Sequence, residues 1–219
     1  MVSYIFMKIL ESAPQRYDMG INLISFGQSR RIQQEIVEEY ICEGNQVLEI
    51  GCGTGTLAIS CAKKGASVVA LDISSQMLAI AARKVREHDL IDKIRLEEMG
   101  AIELENAFDD NTFDRIVSTL VFSELYTNEQ KYVLSQAYRI LKPSGLIIIA
   151  DEVKPRSLWK RIMHSLIRIP LALITYLLTQ TSTKALEDIK GPMMDAGFKI
   201  IRERRSFIDS FGLFVGQKE

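Results

Sequence analysis

VLEIGCGTG, Val47 to Gly55, runs from branched and aliphatic residues directly into three glycines at alternate positions. The run QVLEI reads as a parallel strand covered on both faces, and glycine after it lets the chain turn sharply and admit a ligand close to the backbone. The following TLAISCAKK carries a helical pattern. The stretch is therefore a strand, a tight loop and a helix N-terminus, a place suited to a polar ligand.

Working outward, the same alternation repeats. Upstream, RRIQQEIVEEYI sets Ile32, Ile36, Val37 and Tyr40 on one helical face. Downstream, SVVALD is a second strand ending at Asp72, and SSQMLAIAARKVREHDL is a helix with Ser74 as N-cap and Met77, Leu78, Ala81 and Val85 inward. KIRLEE and FDRIVSTL are further strands; NEQKYVLSQAYRILK is a helix ending before Pro143, and PSG is a turn into strand LIIIAD. GFKIIRERRSF and FGLFVGQKE are two last strands, joined by the short turn IDS. Strands alternating with helices predict right-handed βαβ units. The fold expected is α/β, a doubly wound, mostly parallel seven-stranded sheet with an antiparallel C-terminal strand.

The 219 residues fit a single domain, and 47% apolar against 25% charged residues is a globular balance. A formal net charge of −1 gives no global field for nucleic acid, so no such partner is expected. Cys42, Cys52 and Cys61 are an odd set without metal-ligand spacing; they read as reduced thiols of a cytoplasmic protein, and no metal site is expected. MVSYIFMKILESAP lacks the pattern of a signal peptide.

Gly51, Gly53 and Gly55 are spaced GxGxG, one residue short of the dinucleotide fingerprint, and Asp72 lies 21 residues beyond Gly51 at the end of the next strand. In a doubly wound sheet that geometry brings the acid beside the glycine loop, where a carboxylate can accept from both hydroxyls of a ribose. The alternative is that the glycines only close a strand-helix turn and Asp72 caps the next helix.

EIGCGTG followed by ALDIS resembles motif I and its partner in the class I methyltransferases that use S-adenosylmethionine. The resemblance continues in order through FDDNTFDRIVSTL (Phe108 to Leu120), RILKPSGLIIIADE (Arg139 to Glu152) and DAGFKII (Asp195 to Ile201), and implies a Rossmann-like fold with S-adenosyl-L-methionine as cofactor. By this resemblance, the backbone of Gly51, Cys52, Gly53, Thr54 and Gly55 approaches the methionine part. Glu49 helps hold the loop and the ammonium end. Asp72 takes the ribose hydroxyls, Ile73 packs on the adenine, and Ala101 offers it a backbone amide. Gly100 stands where Asp or Asn is common, so a side-chain contact to the adenine amino group is missing. Thr119 lies near the transferred methyl.

The leader APQRYDMGINLISFGQSRRI (Ala13 to Ile32) resembles the entry segment of the ubiquinone and menaquinone biosynthesis C-methyltransferases, as do ADEVKP (Ala150 to Pro155) and FDDNTFD. That branch implies N-terminal helices over 1–42 that fold over the cofactor, with Tyr17 facing the site; the alternative is that Tyr17 and Phe26 simply pack a first helix. Two departures bear on the acceptor. LVFSEL (Leu120 to Leu125) stands where the branch has an Arg-Asn pair, and Cys52 and Thr56 stand where its loop is richer in glycine and ends in Asp.

Between Pro155 and Lys184, RSLWKRIMHSLIRIPLALITYLLTQ begins basic and turns wholly apolar at Ile169 to Ile174. It is too short and too basic to match the about 20 apolar residues of a spanning helix. An interfacial helix on anionic lipid, a lid over an apolar substrate, core, and a homodimer contact all remain open for this insert over 155–184. Pro170 should kink or split it.

The chemistry implied is an in-line displacement in which the protein supplies alignment, with orientation alone contributing about 7–11 kcal/mol in well-placed reactions. A carbon acceptor such as a quinol needs its phenol deprotonated or polarised. Tyr17, Glu124, Asp151 and Glu152 are the polar groups expected near the ends of strands four and five, with a solvated surface position the alternative for each carboxylate. His88 and His164 fall outside the motifs and read as surface residues. The reading is a methyltransferase for a small, apolar acceptor such as a prenylated quinol. A polar metabolite or corrinoid-related acceptor, and a cofactor-binding scaffold without transfer, are the alternatives.

Overall fold

The computed structural model describes residues 28–154, 185–206 and 209–219. The leader up to residue 27, with Tyr17, and the insert over 155–184, with His164, lie outside the described residues. The element order is α1 (Gln28–Tyr40), β1 (Gln46–Ile50), α2 (Thr56–Lys63), β2 (Ser67–Asp72), α3 (Ser75–Glu87), β3 (Ile94–Glu98), β4 (Phe113–Thr119), α4 (Thr127–Ile140), β5 (Leu141–Glu152), α5 (Lys190–Asp195), β6 (Phe198–Arg205) and β7 (Phe211–Lys218). Single 3-10 segments span Ala101–Asn106 and Phe122–Glu124.

One seven-stranded sheet runs β3-β2-β1-β4-β5-β7-β6. The first five strands pair in parallel; β7 is antiparallel to both β5 and β6. The period-two alternation of each strand sorts its side chains between two cores. Val47, Val117, Ile148 and Val215 pack toward α1 and α2, while Leu48, Ile116, Ile147 and Phe214 pack toward α4 and α5. Strand order reverses between β1 and β4, so the crevice beyond their carboxyl ends is where a ligand enters such a sheet.

Most element boundaries agree with the sequence reading. Ser74 caps α3 as expected, its hydroxyl accepting the Met77 N–H. The PSG turn does not precede β5 but lies inside it. Phe113 pairs with Leu141 and Arg115 with Leu146, so the intervening chain loops out, with Ser144 at φ 63°. Gly145 is needed there because a Cβ would stand 2.8 Å from the Lys142 carbonyl. The turn after β6 is also longer than IDS, since β6 stops at Arg205 and β7 starts at Phe211.

Cations close the amino end of the parallel strands. Lys64 Nζ donates to the carbonyls of Val37 and Glu38 at the end of α1, both at 2.7 Å. Arg115 Nε donates to the Tyr40 carbonyl. Arg139 donates to the carbonyls of Leu104, Glu105 and Phe108 and to Asp110, and Lys218 Nζ donates to the carbonyls of Arg139 and Leu141. Helix ends and loops leave carbonyls unpaired, and long basic side chains supply the donors.

Candidate active site

At the carboxyl end of β1 the three glycines all turn left-handed, with φ 75° at Gly51, 52° at Gly53 and 75° at Gly55. Space near two of them is occupied by protein. A Cβ on Gly51 would stand 2.2 Å from Val121 Cγ2, and one on Gly55 would stand 3.0 Å from Ala81 Cβ. The bare backbone at these positions thus admits the loop after β4 and the flank of α3, rather than serving only a ligand.

Asp72, buried at the end of β2, straddles both loops. Its Oδ2 accepts the Gly53 N–H at 2.7 Å and its Oδ1 the Ser74 N–H at 2.9 Å. Tethering the glycine loop and receiving a ligand's hydroxyls are compatible, because each carboxylate oxygen can accept more than one hydrogen bond. Behind the loop, Lys84 of α3 donates to the hydroxyls of Thr54 at 2.9 Å and Thr56 at 3.2 Å.

Glu49 is only 2% exposed, and its Oε2 has no hydrogen-bond partner among the described residues. Burial, with a smaller push from the Asp72 charge, holds its carboxyl well above the usual carboxylate range, against one stabilising bond from the Ala58 N–H. Burial likewise pushes up the thiols of Cys52 and Cys61, which makes both inert at neutral pH.

The rim is apolar where β2 and β3 end. Ile73 is 65% exposed and Ile102 50%. Gly100, Ala101 and Ile73 meet here: the Gly100 N–H donates to Glu103 Oε1, and a Cβ on Gly100 would stand 3.4 Å from Ile73 Cγ2.

On the opposite side, Thr119 ends β4 half-buried, and Leu120 takes φ 61°, its N–H donating to the Ala150 carbonyl at 2.9 Å. A branched-off aliphatic residue in that region is strained. Asp151, 0% exposed at the end of β5, accepts the N–H groups of Ser123 and Glu152. A surface position therefore does not apply to Asp151: it straps the loop after β4. Burial raises its carboxyl to about 7, against the bonds from Ser123 and Glu152. Glu124 is exposed and Glu152 half-buried, both at this end of the sheet, and His88 is exposed at the end of α3.

Sequence reading missed Lys84, Val121 and the strap role of Asp151. Lys84 reads as one more exposed helix cation, and nothing local marks Val121 as the reason for Gly51. Among the described residues, no group of three or more His, Cys, Asp or Glu is arranged to hold a metal ion. No helix among them is long and apolar enough to cross a membrane.

Residues 47–145 match the family model described as a methyltransferase domain. A ubiquinone/menaquinone biosynthesis C-methyltransferase of Idiomarina loihiensis is 33% identical over 153 residues, 68% of this chain and 59% of that protein. One of Geobacter sulfurreducens is 28% identical over 222 residues, 93% of this chain and 84% of that protein. The chain thus spans less than two thirds of some curated relatives, 62% and 59% of two of them, and 84% and 88% of two others. Among solved structures, the [4+2]-cyclase SpnF superposes with a TM-score of 0.69 at 17% identity, over 86% of this chain and 80% of that one, a likeness of fold. With the ordered motifs, the sheet order and these relatives together, residues 47–145 form a methyltransferase domain of the class I fold, and the chain is similar to the ubiquinone/menaquinone biosynthesis C-methyltransferases.

Proposed function

We propose that the chain transfers the methyl group of S-adenosylmethionine to a small, apolar acceptor such as a quinol. The observation that carries the cofactor part is the grouping at the carboxyl end of β1 and β2. A buried carboxylate oxygen on Glu49 lacks a partner among the described residues, the Asp72 carboxylate lies beside the glycine loop, and the exposed Ile73 and Ile102 offer an apolar face. These match, in order, an ammonium, a ribose and an adenine, so the residues present fit the cofactor. The Ala101 amide and the glycine-loop backbone from Gly51 to Gly55 complete this set, with Cys52 and Thr54 holding the loop's inner side.

When bound, the cofactor supplies an electrophilic methyl on a sulfonium. The chain's part is alignment: Asp72 and Glu49 fix the cofactor's two polar ends, and Thr119 borders the reacting region. Glu124 and Glu152 are the carboxylates proposed to polarise an acceptor hydroxyl, and Tyr17, outside the described residues, is proposed as a third group for that task. Asp151 acts on the acceptor side through the Ser123 loop it straps. The acceptor class rests on the branch resemblance and on the apolar insert over 155–184, read as a lid or membrane-surface contact.

The test is transfer of isotope-labelled methyl from S-adenosylmethionine into a cell extract, partitioned between organic and aqueous phases, with Asp72→Ala as control. Label in the organic phase supports the apolar acceptor. Label confined to the aqueous phase overturns that acceptor class in favour of a polar metabolite, and no label despite tight cofactor binding overturns the transfer itself.

A further inference from the structure

We infer that Glu49 is a neutral acid when the site is empty and gives up its proton as the cofactor's ammonium binds, so that cofactor capture and proton release are one event. This deepens the cofactor reading above and rests on it. Glu49 lies one residue before the end of β1, and its side chain points to the face covered by α2, where it accepts the N–H of Ala58 in the first turn of that helix. Gly55, the N-cap of α2, has no side chain to do this work, so Glu49 caps the helix from the strand.

Its second oxygen has no hydrogen-bond partner among the described residues. Among the described residues, the titratable groups that face it are Asp72 from β2, Cys52 from the glycine loop and Cys61 from α2, all anionic when they ionise. No lysine, arginine or histidine is its ion-pair partner among the described residues. A single helix N–H favours charge only modestly, whereas an unpaired buried carboxylate costs several kcal/mol, which is enough to keep it protonated. Asp72 is placed differently: each of its oxygens accepts a backbone N–H, so neither is left without a donor. An ammonium entering beside Oε2 reverses the balance at Glu49. The O–H bond breaks, the proton leaves to solvent, and a carboxylate-ammonium pair forms.

The experiment is calorimetric titration of the full chain with S-adenosylhomocysteine at pH 7 in several buffers of different ionisation enthalpy. The slope of observed against buffer enthalpy counts protons exchanged, and release of about half to one proton per ligand is expected. The release should persist in Asp151→Asn, which removes the other buried raised carboxyl, and vanish in Glu49→Gln. A buffer-independent enthalpy in the wild type, or release surviving in Glu49→Gln, would overturn the inference. Should Glu49→Gln fail to fold, infrared difference spectra of the Asp151→Asn chain decide the matter. Loss of a protonated-carboxyl band on binding supports Glu49 as the donor, and an unchanged band overturns it. Absence of any binding in any buffer would instead overturn the cofactor reading itself.

Discussion

The two ends of the parallel sheet solve opposite problems. At the amino end, Lys64, Arg115, Arg139 and Lys218 each reach carbonyls left over by a helix or loop, so backbone acceptors there are paired by donors drawn from distant sequence. At the carboxyl end, a buried carboxylate oxygen has no partner among the described residues, two isoleucines face water, and Leu120 sits in a strained conformation. The first end is finished without a ligand; the second is finished by one. Stability and binding should therefore respond to different substitutions.

The largest effect expected crosses that division. Gly51→Ala places a Cβ into Val121 at a left-handed position, and should cost about 3–5 kcal/mol of stability by urea unfolding although it lies at the ligand end. A loss below about 1 kcal/mol would mean that Val121 moves aside freely and that the two loops are not locked together.

Next comes pH. The Asp151 carboxyl is raised to about 7 from an ordinary 3.8, so the native state binds the extra proton between those values. Its contribution is present at low pH and is lost as pH rises toward 7, with an effect on the order of a few kcal/mol. Unfolding titrations of Asp151→Asn against wild type should show the wild type losing ground over that interval; parallel curves would show that Asp151 is ionised throughout.

A matched pair then separates the ends directly. Arg139→Met should lower stability by about 2–4 kcal/mol while leaving affinity for S-adenosylmethionine within twofold. Asp72→Ala should weaken that affinity by about 1.5–3 kcal/mol, roughly tenfold to a hundredfold. Because Asp72 also tethers Gly53, its variant should lose some stability too; unchanged affinity in a folded Asp72→Ala would remove the ribose assignment.

The smallest effect sharpens the amino end. Ser144 is exposed at φ 63°, so Ser144→Gly should relieve backbone strain and add about 0.5–1 kcal/mol of stability without altering binding. A decrease would show that the serine side chain holds the bulge in β5.

What was legible beforehand follows the range of the interaction. Aliphatic runs and helical periods depend on neighbours in sequence, so β1, β2, α2 and the Ser74 cap emerged close to their observed limits. The grouping of Glu49, the glycine loop and Asp72 was legible because consecutive βαβ units bring adjacent strand ends together. The bulge in β5 was not, since Pro-Ser-Gly signals a turn wherever it occurs and only pairing with β4 reveals that the strand continues past it. Asp151 resembled a surface acid because its two N–H donors come partly from the loop after β4, 28 residues away in sequence. Lys84 and Val121 gain their roles only when α3 and that loop close on the glycines.

The strand order β5-β7-β6 also governs the order of events during synthesis. β7 follows every other strand in sequence yet lies between two that precede it. Until Phe211 to Lys218 has left the ribosome, the row of backbone groups from Leu146 to Glu152 has no neighbour on one side, in a strand rich in isoleucine. An open edge of that kind pairs readily with other chains. The nascent chain is therefore most exposed to misassembly just before its sheet closes, and a stop codon directly after Ser210 would hold it permanently at that stage.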